Sequence, residues 1–414
     1  MPNAKRPLAP TPARWACPRS RRAGRSSAAR DGPFSRSRSS GRRTDEGASP
    51  LSGPVLRALV ALGLSILGGD PCAAIEDGPP PPLPWQEPAP LARLFLELPF
   101  EGPQPLPERE LEMELRLLYS NSLLSARNEA FALFIHVETA EPTLLVRYGL
   151  GSGIEAEAAL PLVLDYGGFL DGPIDVVEGF FDAANPQRKG LARNVARYEL
   201  TRPDGGGIVR DGADLGLGDA WLSLKVALPA RPLGADLALR AALKLPTGRL
   251  PFGSEEVDVG FGLLAGLRFP RTALALEVDA LVPTAASLPA VHIETRPYGA
   301  LDLGLTEELA RRVALQLQAS LHLSPLAGTG LDEIDDATAY VLAGVTLALS
   351  RGTRLEVGVI ENVLNPYRGA DITFLLGLAS GAVRGHPPRA GPEPQRGRLE
   401  APSAVRGGEN ERGG

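Results

Sequence analysis

The feature that most constrains this chain is an alternation of apolar and polar residues with period two. It recurs from residue 110 to 379, and the polar side carries full charges in nearly every repeat. Successive side chains of a strand point to opposite faces, so the pattern predicts strands with one apolar and one charged side. In 110–119, Leu111, Met113, Leu115, Leu117 and Tyr119 oppose Glu110, Glu112, Glu114 and Arg116; in 272–282, Leu274, Leu276, Val278 and Val282 oppose Glu277 and Asp279. The same pattern marks 130–138, 143–150, 154–164, 219–228, 234–246, 257–269, 298–305, 312–323, 338–349, 354–363 and 372–379, making thirteen segments. No 3.6-residue apolar stripe of comparable length competes with them.

Most segments are close to the roughly 9–11 residues that a tilted strand needs to cross a membrane, and short turns with Gly, Pro or Asp separate most of them. Lipid outside and water inside demand one apolar and one polar face on every strand, and the sheet must close because lipid cannot satisfy an open edge. The expected fold is therefore all-β, a single antiparallel transmembrane β-barrel. Strand numbers of single-chain bacterial barrels are even, which makes about 12 strands the expectation and 14 the alternative. A secreted soluble sandwich or solenoid also alternates. Against it stand the charges on nearly every polar face and apolar faces built almost wholly of Leu, Val, Ile and Ala. For it stands an aromatic content of only 5%, thin for interfacial girdles. Trp85, Trp221, Tyr119, Tyr148, Tyr166, Tyr298 and Tyr340 are the candidates for a sparse belt.

The formal charge of −6 conceals unlike pieces. Residues 1–50 hold 12 Lys/Arg against Asp31, Asp45 and Glu46, and the stretch from 381 holds six Arg against four Glu, so the body between is strongly acidic. Segment 1–53 has no apolar periodicity and reads as a disordered Arg-rich extension, consistent with a mis-assigned upstream start; a nucleic-acid partner is not expected. Residues 54–75 read as a signal peptide, with the apolar core Ala58–Leu67 and a cleavage point at Ala74, which implies export. Residues 76–107 are Pro-rich and read as an extended spacer interrupted by Leu94–Leu98. The barrel is expected over 108–379 and a disordered tail over 380–414. Cys17 and Cys72 both precede the barrel, so it offers no thiol for a nucleophile, a thiolate metal site or a disulfide framework.

One connection breaks the rhythm of short turns. Residues 165–215 are far too many for a turn, and long barrel loops are extracellular, where this one is a candidate lid or constriction. Ile174, Val177, Phe180 and Phe181 fall on one face of a short helix that Asp171 is placed to cap, a face expected to pack on the barrel rim. Phe169, Asp171, Phe180, Phe181 and Arg188 are the candidate loop residues.

Several stretches resemble a family of bacterial outer-membrane proteins of unknown function, predicted to be β-barrels. They are Gly167-Gly-Phe-Leu-Asp-Gly172 with Ile174, Glu178, Phe180-Phe181 and Arg188, together with Arg147-Tyr-Gly-Leu150, Gly216-Leu-Gly-Asp219 and Lys244-Leu-Pro-Thr-Gly248. The closing pieces are Glu361 and Asp371-Ile-Thr-Phe-Leu-Leu-Gly-Leu378, and the match spans roughly 90–379. The chain departs from the family pattern in carrying Phe180-Phe181 where a His usually stands, and a polar tail after Leu378 in place of an aromatic strand end. The resemblance implies location in the cell outer membrane and a barrel fold, and supplies no reaction.

Taking alternate residues as lumen-facing gives the candidates Glu112, Glu114, Arg116, Glu138, Arg147, Lys225, Asp236, Arg240, Lys244, Glu277, Asp279, His322, Arg354 and Glu356. Both signs are present, so pairing across strands is expected, and any surplus of carboxylates favours cations. An enzyme is not expected. His322 alternates with Ser320 and Ser324, but no G-x-S-x-G motif accompanies them, and His292 with Glu294 lacks a third metal ligand. No cofactor is expected. The leading reading is a passive or semi-selective channel for small polar or cationic solutes, with outer-membrane lipid and the barrel assembly machinery as partners. The alternative is a structural or surface-interaction barrel with a blocked lumen.

Overall fold

Strands form where the alternation places them, and twelve of them hydrogen-bond side by side into one closed antiparallel barrel. The computed structural model describes residues 78–181, 188, 190–288, 290–350, 352–365 and 368–381; the expected extension (1–53), signal peptide (54–75) and tail beyond 381 lie outside the described residues. In chain order the barrel strands are β1 (Leu111–Arg127), β2 (Ala132–Gly151), β3 (Ile154–Tyr166), β4 (Trp221–Leu228), β5 (Asp236–Lys244) and β6 (Asp258–Arg268). They continue with β7 (Thr272–Pro283), β8 (Tyr298–Ala310), β9 (Val313–His322), β10 (Thr338–Ser350), β11 (Thr353–Leu364) and β12 (Ile372–Gly381). Pairing of β1 with β12, from Glu112 opposite Gly381 to Asn121 opposite Ile372, closes the sheet. Closure leaves no unpaired edge for lipid to meet.

Thirteen alternating segments become twelve strands because 130–138 and 143–150 lie in one 20-residue strand, β2. Pro142 resembles a break in the sequence. It sits opposite Leu117 of β1, while on the other side the pairing skips from Ala140–Leu164 to Thr143–Pro161. A residue without an N–H is tolerated where the ladder is already interrupted.

The barrel is inside-out by the standard of a water-soluble protein. Leu160, Leu224, Phe261, Leu276, Leu303, Leu317, Val357 and Leu376 are exposed on its outer surface, while Glu112, Arg116, Lys225, Arg240, Glu277, Asp302 and Glu356 are buried within. Hydrocarbon around the barrel makes this distribution favourable, and water would favour the reverse. The expected aromatic belt is not assembled: Trp85, Trp221, Tyr298 and Tyr340 are buried, leaving Tyr148, Phe261, Phe269 and Phe374 among the exposed aromatics.

Tight connections such as 152–153 and 311–312 join strands at one end, where β1 also begins and β12 ends; long loops lie at the other. In bacterial barrels the short turns are periplasmic and the long loops extracellular. At the long-loop end β1 and β2 are extended to 17 and 20 residues, and short strands at Arg197–Thr201 and Gly207–Asp211 continue the sheet from β2.

The Pro-rich segment expected as a spacer fills the barrel instead. Leu83, Trp85, Leu94, Leu96, Leu98 and Phe100 are all buried. The segment is a re-entrant hairpin. One arm rises to a single 3-10 turn at Ala92–Leu94, and the other descends to β1. The arms are tied by Phe100 N–H donating to the Trp85 carbonyl (3.3 Å) and Gln86 Nε2 donating to the Glu97 carbonyl (2.5 Å). Two devices let the segment be buried without strand partners: the rising arm carries seven prolines among residues 79–90, which remove N–H donors and hold it extended, and the descending arm places the N–H groups of Leu96, Glu101 and Leu106 on the wall carboxylates Asp258, Glu277 and Glu155. The wall meets it closely at residues that lack a side chain. A Cβ on Gly304 would lie 2.6 Å from Phe100 Cε1, and one on Gly344 would lie 2.4 Å from Leu83 Cδ1.

Candidate functional site: the plugged lumen

Alternation along the strands turns Glu112, Glu114, Arg116, Arg147, Lys225, Arg240, Lys244, Glu277, Asp279, His322 and Glu356 into the lumen, where all are buried. Arg354 joins them half-buried. Asp236 lies at the tight-turn end, accepting from Gln104 Nε2 at 3.0 Å and pairing with Arg231. Part of this charge pairs across the wall as expected. Arg147 donates to Glu112 (2.8 Å), Glu114 (3.2 Å) and Glu157 (3.1 Å), and Arg354 bonds Glu112 (2.5 Å) and Glu356 (2.6 Å), linking β1, β2, β3 and β11.

The remaining contacts belong to the plug. Arg116 donates to the Pro84 carbonyl (2.7 Å) and Gln86 (2.9 Å), and Gln316 to the Pro81 carbonyl (3.0 Å). Arg240 donates to the Pro99 carbonyl (2.9 Å) and to Glu277, whose other oxygen takes the Glu101 N–H (2.9 Å). Lys225 lies between Glu101 (2.6 Å) and Glu155 (2.9 Å). Lys244 reaches the Leu94 carbonyl (2.6 Å), Ser254 (2.6 Å), Asp219 (2.9 Å) and Asp258 (3.0 Å). Nearer the long loops, Arg93 of the turn pairs with Asp165, and Tyr298 donates to the Leu96 carbonyl. The wall thus supplies cations where the plug presents carbonyls and carboxylates where it presents N–H groups. Beside the plug near the tight-turn end a cavity of about 200 Å³ persists between Pro82, Glu101, Arg147, Arg268 and Arg354.

At the long-loop end the closure is apolar. Leu91, Leu94, Phe95, Leu96 and Leu98 of the plug pack with Leu124, Ile135, Leu288, Val291, Ile293, Leu326 and Ile334. The long loop contributes Tyr198, Leu200 and Ile208 to the same cluster.

Glu138 departs from its expected lumen position. Its register partner is Asn121, on the face of the β1–β2 hairpin opposite lumen-facing Ser120 and Thr139. It is buried there because the long loop folds against that outward face. The Leu170 N–H (2.5 Å) and the Tyr119 hydroxyl donate to its two oxygens, and Tyr166 donates to Tyr119 (2.7 Å). Gly168 has φ 57°, and a Cβ there would fall 1.9 Å from the Glu138 carboxylate. Helix α1 (Asp171–Phe181) begins immediately after. Asp171 is bonded by His136 Nε2 (3.1 Å), Asn121 Nδ2 (3.1 Å), the Asn194 N–H (2.7 Å) and Arg188 (2.7 Å), and Arg188 continues to Asn121 (2.5 Å) and Asp371. Burial pushes the Asp171 carboxyl up, but the bonds from His136, Asn194 and Asn121 outweigh it and hold it well below the ordinary range. Phe169 remains 61% exposed while stacking on Tyr119 at 5.8 Å. Ile174 is buried, and the side chains of Val177, Phe180 and Phe181 lie outside the described residues. The loop therefore divides: α1 clasps the outside of the hairpin, and its strands join the apolar closure.

No Ser–His pairing is formed by the residues considered for acyl transfer. Ser320 donates to Asp302, Ser324 to the Ile334 carbonyl (2.6 Å), and His322 Nδ1 meets Glu97 Oε2 at 3.2 Å. His292 occupies a left-handed turn at φ 52°. The residues that sequence reasoning missed are those of the plug, chiefly Glu87, Glu97, Glu101 and the Leu94–Phe100 stretch. Two signals pointed to them: glycines at inward positions of strands, which mark a close approach of other backbone, and the period-two series Leu94, Leu96, Leu98, Phe100 within the Pro-rich segment.

Comparison with solved structures finds outer-membrane barrels. An outer membrane channel from Pseudomonas putida F1 aligns at 13% identity over 67% of this chain and 97% of its own, with a TM-score of 0.45. The NanC porin aligns at 7% identity over 64% and 97%, TM-score 0.39, and the CymD monoaromatic hydrocarbon channel at 11% over 67% and 88%, TM-score 0.32. No curated protein matches the chain. The model of a family described as Protein of unknown function (DUF3187) matches residues 74–381, taking in plug and barrel together.

Proposed function

This chain belongs to that family of unknown function, and we propose that it is an outer-membrane channel held shut at rest by its own N-terminal hairpin. The hairpin withdraws toward the periplasmic end to open a polar lumen for small, preferentially cationic solutes. One observation carries the reading. Among the described residues, no backbone-to-backbone hydrogen bond joins 78–106 to a barrel strand, so the plug can leave without breaking any rung of the wall. The contacts it releases are made largely by side chains, and the wall it uncovers is charged, a surface that water solvates readily. Both arms run to the tight-turn end, where the cavity already lies beside the plug. The long-loop mouth is the second barrier, and the expected lid role of 165–215 falls to Tyr198, Leu200 and Ile208 in the apolar closure.

That closure also favours the second reading, a sealed structural barrel without transport. Planar-bilayer recording separates the two. The full chain should be quiet or flicker briefly, and a variant lacking 78–106 should conduct steadily. Silence from the deletion variant, with its barrel verified by a heat-modifiable gel shift, would favour the sealed barrel. Recovery of the heat-modifiable protein in the outer-membrane fraction tests the location.

A further inference from the structure

Toward the long-loop end, Glu87 of the rising arm and Glu97 of the descending arm face His322 of β9. One donor atom from each lies within 4.8 Å of the others, and all three residues are buried. His322 Nδ1 stands 3.2 Å from Glu97 Oε2. Two ligands of a single ion, each roughly 2.0–2.2 Å from it, adopt such a spacing. Glu87 is fixed through one oxygen only. Its Oε1 accepts from the Thr338 hydroxyl (3.0 Å) and the Tyr340 hydroxyl (3.2 Å), the kind of outer support that orients a ligating carboxylate. Its Oε2 has no hydrogen-bond partner, and Arg368 Nη2 is 3.9 Å away. The rings of Trp85 and Tyr340 stand edge-on to the imidazole at 5.6 and 6.0 Å, which shields the group from water.

Two neighbouring carboxylates buried with an imidazole form a mixed oxygen–nitrogen donor set. Carboxylates alone suit Mg²⁺ or Ca²⁺, and the imidazole shifts preference to first-row transition ions and zinc. We infer that Glu87, Glu97 and His322 hold a divalent ion of the zinc type that fastens the plug to the barrel wall. Two ligands belong to the plug and one to the wall, so binding requires the plug in place and stabilises that state. The site stands on its own geometry; its use as a latch on conductance rests on the channel reading.

The test is calorimetric titration of the full chain, refolded in detergent and stripped with chelator, using Zn²⁺ as probe and Ca²⁺ as control. One Zn²⁺ per chain is expected, with no Ca²⁺ binding. Glu97→Gln and His322→Ala should each weaken Zn²⁺ binding by about 100-fold or more, on the scale of losses seen around metal sites. Zn²⁺ should also protect residues 78–106 from proteolysis in the unaltered chain. Glu87→Gln, nearly isosteric, supplies the measurement if His322→Ala fails the gel-shift test of folding. Absence of Zn²⁺ binding, or binding unchanged in these variants, would leave His322 and Glu97 as an ion pair and overturn the inference. Zn²⁺ binding together with a silent deletion variant would retain the site and remove the channel reading.

Discussion

Gly304 shows how much a single inward position decides. Any side chain there competes with Phe100 for the same space, since even a Cβ would stand 2.6 Å from its ring. Gly304→Val should therefore displace the plug while sparing the wall, whose ladder at this position pairs Gly304 with Ala275 and Gln318 through backbone alone. The expected result is steady conductance from a full-length chain that still shows the heat-modifiable shift; a closed pore would mean that Phe100 simply moves aside. Asp171 yields a pH prediction of definite sign. Its folded value lies below the ordinary 3.8, so the stabilisation it lends the loop is complete above that value and is lost only as pH falls through the lower one. Pepsin should thus leave the loop intact at pH 4 and cleave it only in stronger acid, whereas Asp171→Asn should expose it already at pH 4. Neither residue's partner was visible beforehand, because Phe100 and Asn121 are remote in sequence from the groups they meet.

Elements behave differently from residues, since the pattern predicts most strands well and the two unusual segments poorly. The alternation lapses between 138 and 143, where Pro142 stands, and the gap in the β2–β3 ladder absorbs it within one strand. The Pro-rich segment reads as a spacer because its backbone forms no regular structure, yet few donors in the rising arm and wall carboxylates for those of the descending arm let it occupy a lumen without strand partners. The long loop is expected as a lid or constriction with its helix on the barrel rim, and the start of that helix clasps the outward face of the β1–β2 hairpin through Asp171 and Arg188. Replacing residues 169–192 by a short Gly/Ser linker should accordingly leave the full chain as quiet in bilayers as the unaltered protein. It should also lower the resistance of the β1–β2 hairpin tip to proteases. Immediate conductance would show that the clasp, too, holds the pore shut.

For the whole molecule, the acidic body becomes a statement about the lumen. Buried wall carboxylates, among them Glu112, Glu114, Glu155, Glu157, Asp258, Glu277, Asp279, Asp302 and Glu356, outnumber the wall cations Arg116, Arg147, Lys225, Arg240, Lys244 and Arg354. With the plug deleted, the barrel should prefer K⁺ over Cl⁻, read as a reversal potential under a salt gradient and weakening as ionic strength rises. Anion preference would mean that Arg147 and Arg354 at the cavity govern entry. The alternation carries the closed all-β barrel, the apolar outside and the charged inside, though in 130–138 the faces reverse, with Leu133, Ile135 and Val137 turned inward and Glu138 outward, and Asp165 is a lumen carboxylate that it does not mark. Those follow from a period of two, which each strand carries locally. Tertiary contacts alone settle that the lumen is filled, which charges face the plug, and where the long loop docks. Such contacts range from Arg116 and Pro84, 32 positions apart, to Tyr340 and Glu87, 253 apart, and their geometry exists only once the barrel has closed around the segment that precedes it.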